Sequence, residues 1–145
     1  VRTFEAASYL KKSGADTIEV KKLFNSDIKD FITKAEIIQN AKVINNNICL
    51  AYTKTETDNI NIVIAQAADE LLNIKEVEAS FVLARKDDRV FISARSLGNI
   101  NVHVLMENLG GGGHRDMAGA QLDTSLEKAY EMVKDTIQTY IKEEE

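Results

Sequence analysis

The chain has 145 residues, 44% hydrophobic and 28% charged, with 18 basic side chains against 23 acidic ones and a net charge of −5. Length and balance describe one ordinary soluble domain with interior enough to fold without metal or disulfide staples, and the single cysteine, Cys49, excludes an internal disulfide framework. No apolar run approaches the roughly 20 residues that cross a bilayer and no charged segment followed by an apolar stretch marks a secretory signal, so a reducing, cytoplasmic setting is expected. The acidic balance argues against a grip on duplex nucleic acid built from clustered Lys and Arg.

In chain order, helical periodicity comes first. Phe4, Ala7 and Leu10, then Val20, Leu23 and Phe24, then Ile28, Phe31, Ile32 and Ala35 recur at spacings of three and four. They predict three short helices, separated by Gly14 and Asp16 and by Asn25-Ser26. Residues 1–40 are therefore expected as a helical linker segment, and residues 41–145 as the domain proper. The chain starts at Val1 inside the first of these helices, so it is expected to be a piece of a longer protein. From Ala41 the pattern turns extended: AKVI and ICLAYT flank Asn45-Asn46-Asn47, a hairpin turn of residues that tolerate positive φ. Residues 59–73 return to helix, with Ile60, Val63, Ile64, Ala67, Ala68, Leu71 and Leu72 on one face and Asp58 as the expected cap. EASFVLARK and RVFISAR form a second hairpin through Asp87-Asp88. A short helix over Asn101 to Leu109, a fifth strand over Ala118 to Leu122 and an amphipathic helix over Ser125 to Ile141 complete the chain. The fold expected is α/β, a five-stranded mixed sheet with helices packed on it.

The chemistry is concentrated in GGGGHRDMAG, Gly110 to Gly119. Apart from Gly14, every glycine of the chain lies between Gly98 and Gly119, and four are consecutive. Such a run has two readings: a concave nest of backbone N–H groups that binds an anion, or a loop that closes the helix ending at Leu109. His114 follows directly and can donate from a ring nitrogen. Upstream, Ser93-Ala94-Arg95-Ser96 ends a strand, with Ser93 and Arg95 on one face by alternation. Arg95 is either a guanidinium fork that takes a phosphate bidentately or a salt-bridged edge residue; Ser96 adds a hydroxyl. No metal ligand is assigned. His103 and His114 are the only histidines, Asp87-Asp88 is a turn and Glu143 to Glu145 a solvated tail, so the carboxylate and imidazole cluster of a two-metal centre is missing. His103 reads as a helix-face residue, Cys49 as a buried inert thiol, and Tyr52, Tyr130 and Tyr140 as packing residues.

FISARSLGNINVHVLMENLGGGGHRDMAGAQL resembles the DHH-associated C-terminal domain of the DHH phosphoesterase superfamily, with its RS-containing strand and GGGH loop. VRTFEAASYLKKSGAD, IAQAADELL and ASFVLARKDDRVFISARSLGNINV extend the resemblance to cyclic-di-AMP phosphodiesterases of the membrane-anchored bacterial signalling type. It implies a two-domain site: an absent upstream DHH domain with two manganese ions, and this domain holding the nucleotide. On that resemblance the Gly111, Gly112 and Gly113 amides and His114 hold phosphate, Arg95 and Ser96 support it, and His114 acts on charge that develops as water opens the cyclic dinucleotide to linear pApA. Met117 stands where the general pattern has Ala, a departure that the resemblance leads one to expect to narrow the pocket. The chain alone is expected to be inactive and to need no cofactor of its own. Its expected partners are a cyclic dinucleotide or short oligonucleotide, the DHH domain of the same protein and a second copy of itself. The full-length protein is expected at the bacterial cell membrane, without direct membrane contact by this part. Alternatives are the substrate domain of a short-oligonucleotide or RecJ-type exonuclease and a non-catalytic nucleotide- or nucleic-acid-binding module.

Overall fold

A computed structural model describes residues 28–144; the first two expected helices lie outside the described residues. The elements in order are α1 (Ile28–Gln39), β1 (Lys42–Ile44), β2 (Ile48–Thr53), α2 (Ile60–Leu71), β3 (Ala79–Lys86), β4 (Arg89–Ser96), α3 (Val102–Glu107), β5 (Gly112–Gly113), β6 (Met117–Leu122) and α4 (Leu126–Glu144). One mixed sheet runs β1-β2-β3-β4-β6-β5. Only β2 and β3 are parallel, because the chain leaves β2 and returns through α2. The two hairpins sit where the turn residues placed them: Asn45 and Asn46 have φ of 56° and 68°, and Asp87 and Asp88 of 53° and 65°, the left-handed values that suit the twist of flanking strands.

The sheet has six strands rather than five. Gly112 and Gly113 pair with Gly119 and Ala118, a strand with no side chains and hence no period for a sequence to display. The expected Asp58 cap is also corrected: the residue at the N-cap of α2 is Asn59, without a side-chain capping bond, and the Asp58 carbonyl instead accepts the Lys86 ammonium at 2.9 Å.

Helices cover both faces. Phe81 and Leu83 of β3, with Ile48, Leu50, Ile92 and Ala94, pack toward α3 and α4. Val82 and Ala84, with Cys49 and Ala51, pack toward α1 and α2. A central strand buried on both sides reads as the unbroken apolar run FVLA. Two bonds fix α2 in place. Ser80 Oγ, fully buried, donates to the Ala68 carbonyl at 2.6 Å, and Lys34 of α1 pairs with Glu70 at 3.2 Å. Ile37 of α1 is fully buried in the α2-side core, so packing on the sheet begins before residue 41. At the other margin, Met117 and Gln121 of β6 remain exposed on the α2 face. The α2 face of β6 is left open.

Candidate functional site

Strand register determines which side chains share that open face. Arg95 faces Ser80 on one side and Met117 on the other, Ser93 faces Gly119, and Phe91 faces Gln121. Ser80 packs under α2, so by alternation Arg95, Ser93 and Phe91 belong to the α2 face. His114 and Met117 exchange backbone bonds, His114 N–H to Met117 carbonyl at 2.7 Å and the reverse at 3.3 Å. His114, just after β5, Met117 of β6 and Arg95 of β4 thus line up at one end of the sheet. Further along the same strands, with none of these three residues in its lining, lies a hollow of about 510 Å³ lined by Asn61 and Ile64 of α2, Phe91 and Ser93 of β4, Gly110 and Gly111, and Gly119 and Gln121. A second hollow, by the β3–β4 turn, is lined by Arg85, Asp88, Arg89 and Asp123, which neutralise one another in pairs.

Arg95 is both a salt-bridged residue and a fork. Its side chain is 12% exposed; Nε donates to Asp69 Oδ1 of α2 at 3.0 Å, and Nη1 to its own neighbour's carbonyl, Ala94, at 2.9 Å. A guanidinium has five N–H donors, and these two bonds leave the other three without a protein acceptor among the described residues. Ser96 does not join it. One residue further along β4 it faces the opposite side, is buried, and its Oγ accepts the Gly98 N–H at 2.9 Å, closing the turn after the strand.

The glycine run is not an open nest of consecutive amides. Gly110, at φ 85°, closes α3: its N–H goes to the Glu107 carbonyl at 3.0 Å and that of Gly111 to Met106 at 2.8 Å, the paired bonds of a Schellman cap. The expected Gly111 phosphate donor is therefore spent on the helix. What Gly111 supplies is the lack of a side chain, since a Cβ there would overlap the Gly119 carbonyl oxygen. Gly112 has open space where its side chain would be. Beyond it the hairpin tip is pinned to the β4–α3 turn: Ser96 N–H donates to the Asp116 carbonyl at 2.9 Å, Val102 N–H to Arg115 at 3.1 Å, and Arg115 Nε to the Gly98 carbonyl at 2.7 Å. Arg115 and Asp116, to which the sequence assigned nothing, hold the loop that presents exposed His114.

Other singled-out residues have structural partners. His103 pairs with Glu107 along α3 at 3.3 Å, Tyr52 and Tyr130 meet edge to face at 5.5 Å against the α4-side core, and Cys49 is buried, which pushes its thiol pKa up. Among the described residues, no group of three or more His, Cys, Asp or Glu side chains is placed to hold a metal ion. Asp69, Asn61 and Gln121 were missed, because their neighbours in the site come from strands tens of residues away.

A mixed sheet between helical layers, with an arginine and a histidine-bearing glycine hairpin at its open end, defines a class that the comparison with known families makes explicit. Residues 45–143 match the DHHA1 domain, and the chain belongs to that family. Among its relatives are the cyclic-di-AMP phosphodiesterase GdpP of Bacillus subtilis (strain 168), 44% identical over 145 residues, with 97% of this chain and 22% of the relative covered, and the cyclic-di-AMP phosphodiesterase PdeA of Listeria monocytogenes serotype 1/2a (strain 10403S), 40% identical over 145 residues, with 99% and 22% covered. The chain thus spans about a fifth of the length of these relatives. The crystal structure of an exopolyphosphatase-related protein from Bacteroides fragilis shares the fold, with a TM-score of 0.71 at 21% identity over 96% of this chain and 43% of that one.

Proposed function

We propose that this chain is the substrate-binding part of a phosphodiesterase that hydrolyses cyclic di-AMP to linear pApA. The observation that carries the reading is the alignment of Arg95 of β4 and His114, just after β5, at the same end of the sheet, on either side of Met117 of β6. Strands lie about 4.8 Å apart, so the backbones of β4 and the His114 hairpin stand roughly 10 Å apart across β6. That gap admits a phosphodiester, with the free Arg95 N–H groups on one side and the His114 ring on the other. Met117 lies between them, and the next row along the strands, Ser93, Gly119 and Gly112, carries little side-chain bulk.

In this arrangement Arg95 binds and orients the phosphate, and His114 donates to oxygen as negative charge builds on it. A donor fixed in advance stabilises the transition state more than the ground state. The described residues do not fit a metal centre, and the two manganese ions expected of the superfamily are assigned to an upstream DHH domain. Among the described residues no helix is long and apolar enough to cross a membrane; membrane anchoring of the whole protein is proposed on the resemblance alone.

The test is calorimetric titration of this chain, and of the protein extended upstream through its DHH domain, with cyclic di-AMP and with pApA. Saturable binding by the extended protein is expected, with hydrolysis in added manganese by the extended protein and none by this chain. Absence of binding by the extended protein, or turnover by this chain that a chelator abolishes, overturns the proposal.

A further inference from the structure

We infer that Asp69 is a positioning residue for substrate: it holds the Arg95 guanidinium in the plane that meets the phosphate. The inference rests on the proposal that Arg95 touches the nucleotide, and adds a residue from a different element to the site. Asp69 lies on α2, whose register against the sheet is fixed by the buried Ser80–Ala68 bond one residue away. From there its Oδ1 takes Arg95 Nε at 3.0 Å. The Ala94 carbonyl takes Nη1 at 2.9 Å. Two acceptors on different nitrogens define the plane of a rigid fork, and the remaining N–H groups are left for an outside acceptor.

The pair differs from a surface ion pair in how its halves are exposed. The Arg95 side chain is 12% exposed and that of Asp69 61%. The arginine is thus enclosed and aimed, while the carboxylate faces water, where its repulsion of an incoming phosphate is screened. A long side chain immobilised before binding has no rotamer freedom left to lose when the ligand arrives. Orientation therefore outweighs the negative charge that Asp69 places near the site.

The experiment uses the protein extended through its DHH domain and measures cyclic-di-AMP affinity, KM and kcat for Asp69→Ala, Asp69→Asn, Arg95→Ala and the Asp69→Ala/Arg95→Ala double variant, alongside melting temperature. Asp69→Ala should weaken affinity by about five- to tenfold with a rise in KM and little change in melting temperature. Asp69→Asn, which keeps an oxygen acceptor, should lose less. In the Arg95→Ala background, Asp69→Ala should have no further effect. If Arg95→Ala weakens binding while Asp69→Ala leaves it unchanged or tightens it, the positioning role is wrong. If Arg95→Ala itself has no effect, the phosphate contact fails first. A fall in melting temperature with KM unmoved makes the pair structural and overturns the inference.

Discussion

At the scale of single residues, the site depends on what holds Arg95. Nε and Nη1 are bound by two protein oxygens, so the side chain reaches the ligand with geometry as well as charge. A lysine keeps the charge and loses the fork, because one ammonium cannot bond both oxygens and also present a flat pair of donors. Arg95→Lys is therefore expected to bind cyclic di-AMP nearly as poorly as Arg95→Ala, at low salt and at about 0.15 M, where exposed charges are screened beyond about 8 Å. Affinity of the three proteins at both salt concentrations checks this; wild-type affinity in the lysine variant would refute a direct contact. The sequence disclosed this residue in part. Alternation along β4 put Ser93 and Arg95 on one face, and the same rule removes Ser96 from it. The partner Asp69 was illegible, since it lies 26 positions away on a helix whose periodicity marks its apolar face and says nothing of what the polar residues meet.

At the scale of elements, the glycine hairpin separates two uses of the same residue type. Gly113 sits at φ 143°, and a Cβ on it would press into the backbone of Met117 and Ala118; Gly112 has no such constraint. Gly113→Ala is expected to destabilise the protein by about 1–3 kcal/mol, the cost of forcing a side chain into backbone space that glycine alone occupies. Gly112→Ala should melt like wild type. A nucleotide titration of the folded Gly112→Ala protein then reads whether ligand approaches the bare backbone of β5: weaker binding at unchanged melting temperature is expected, and equal binding would place the ligand elsewhere. The other elements were legible because their patterns are local. Strand and helix periods, Asn45-Asn46 and Asp87-Asp88 all act within a few residues. The sixth strand was not, because pairing between Gly112 and Gly119 is created by the closure of α3 and the return of β6, neither of which leaves a mark on a run of glycines.

At the scale of the whole molecule, one carboxylate ties distant turns together at the end of the sheet that carries Arg95. Glu78 Oε2 accepts from Asn47 at 2.7 Å and Oε1 from Asn99 at 2.8 Å, while its backbone bonds Asn47 and Leu97. Hydrogen bonds from Asn99, then Asn47, lower its pKa from the ordinary 4.5. A carboxylate with a depressed folded pKa contributes stability that is full above the unfolded value and is lost as pH falls through the folded one. Glu78→Gln should therefore melt below wild type at neutral pH, with the gap closing as pH drops below about 4.5. Melting curves from pH 7 to 3 measure it, and a gap independent of pH would deny Glu78 its part. The margins of the sheet act at the same scale. They are the three-residue β1 and the two-residue β5, and margins this short offer little bare ladder to a neighbouring chain. The hairpin bearing His114 is thus also a guard. Cutting it away would uncover Met117, Ala118 and Gly119 of β6 as an adhesive border, so keeping the protein from clumping and keeping its ligand loop intact are one requirement on the same residues.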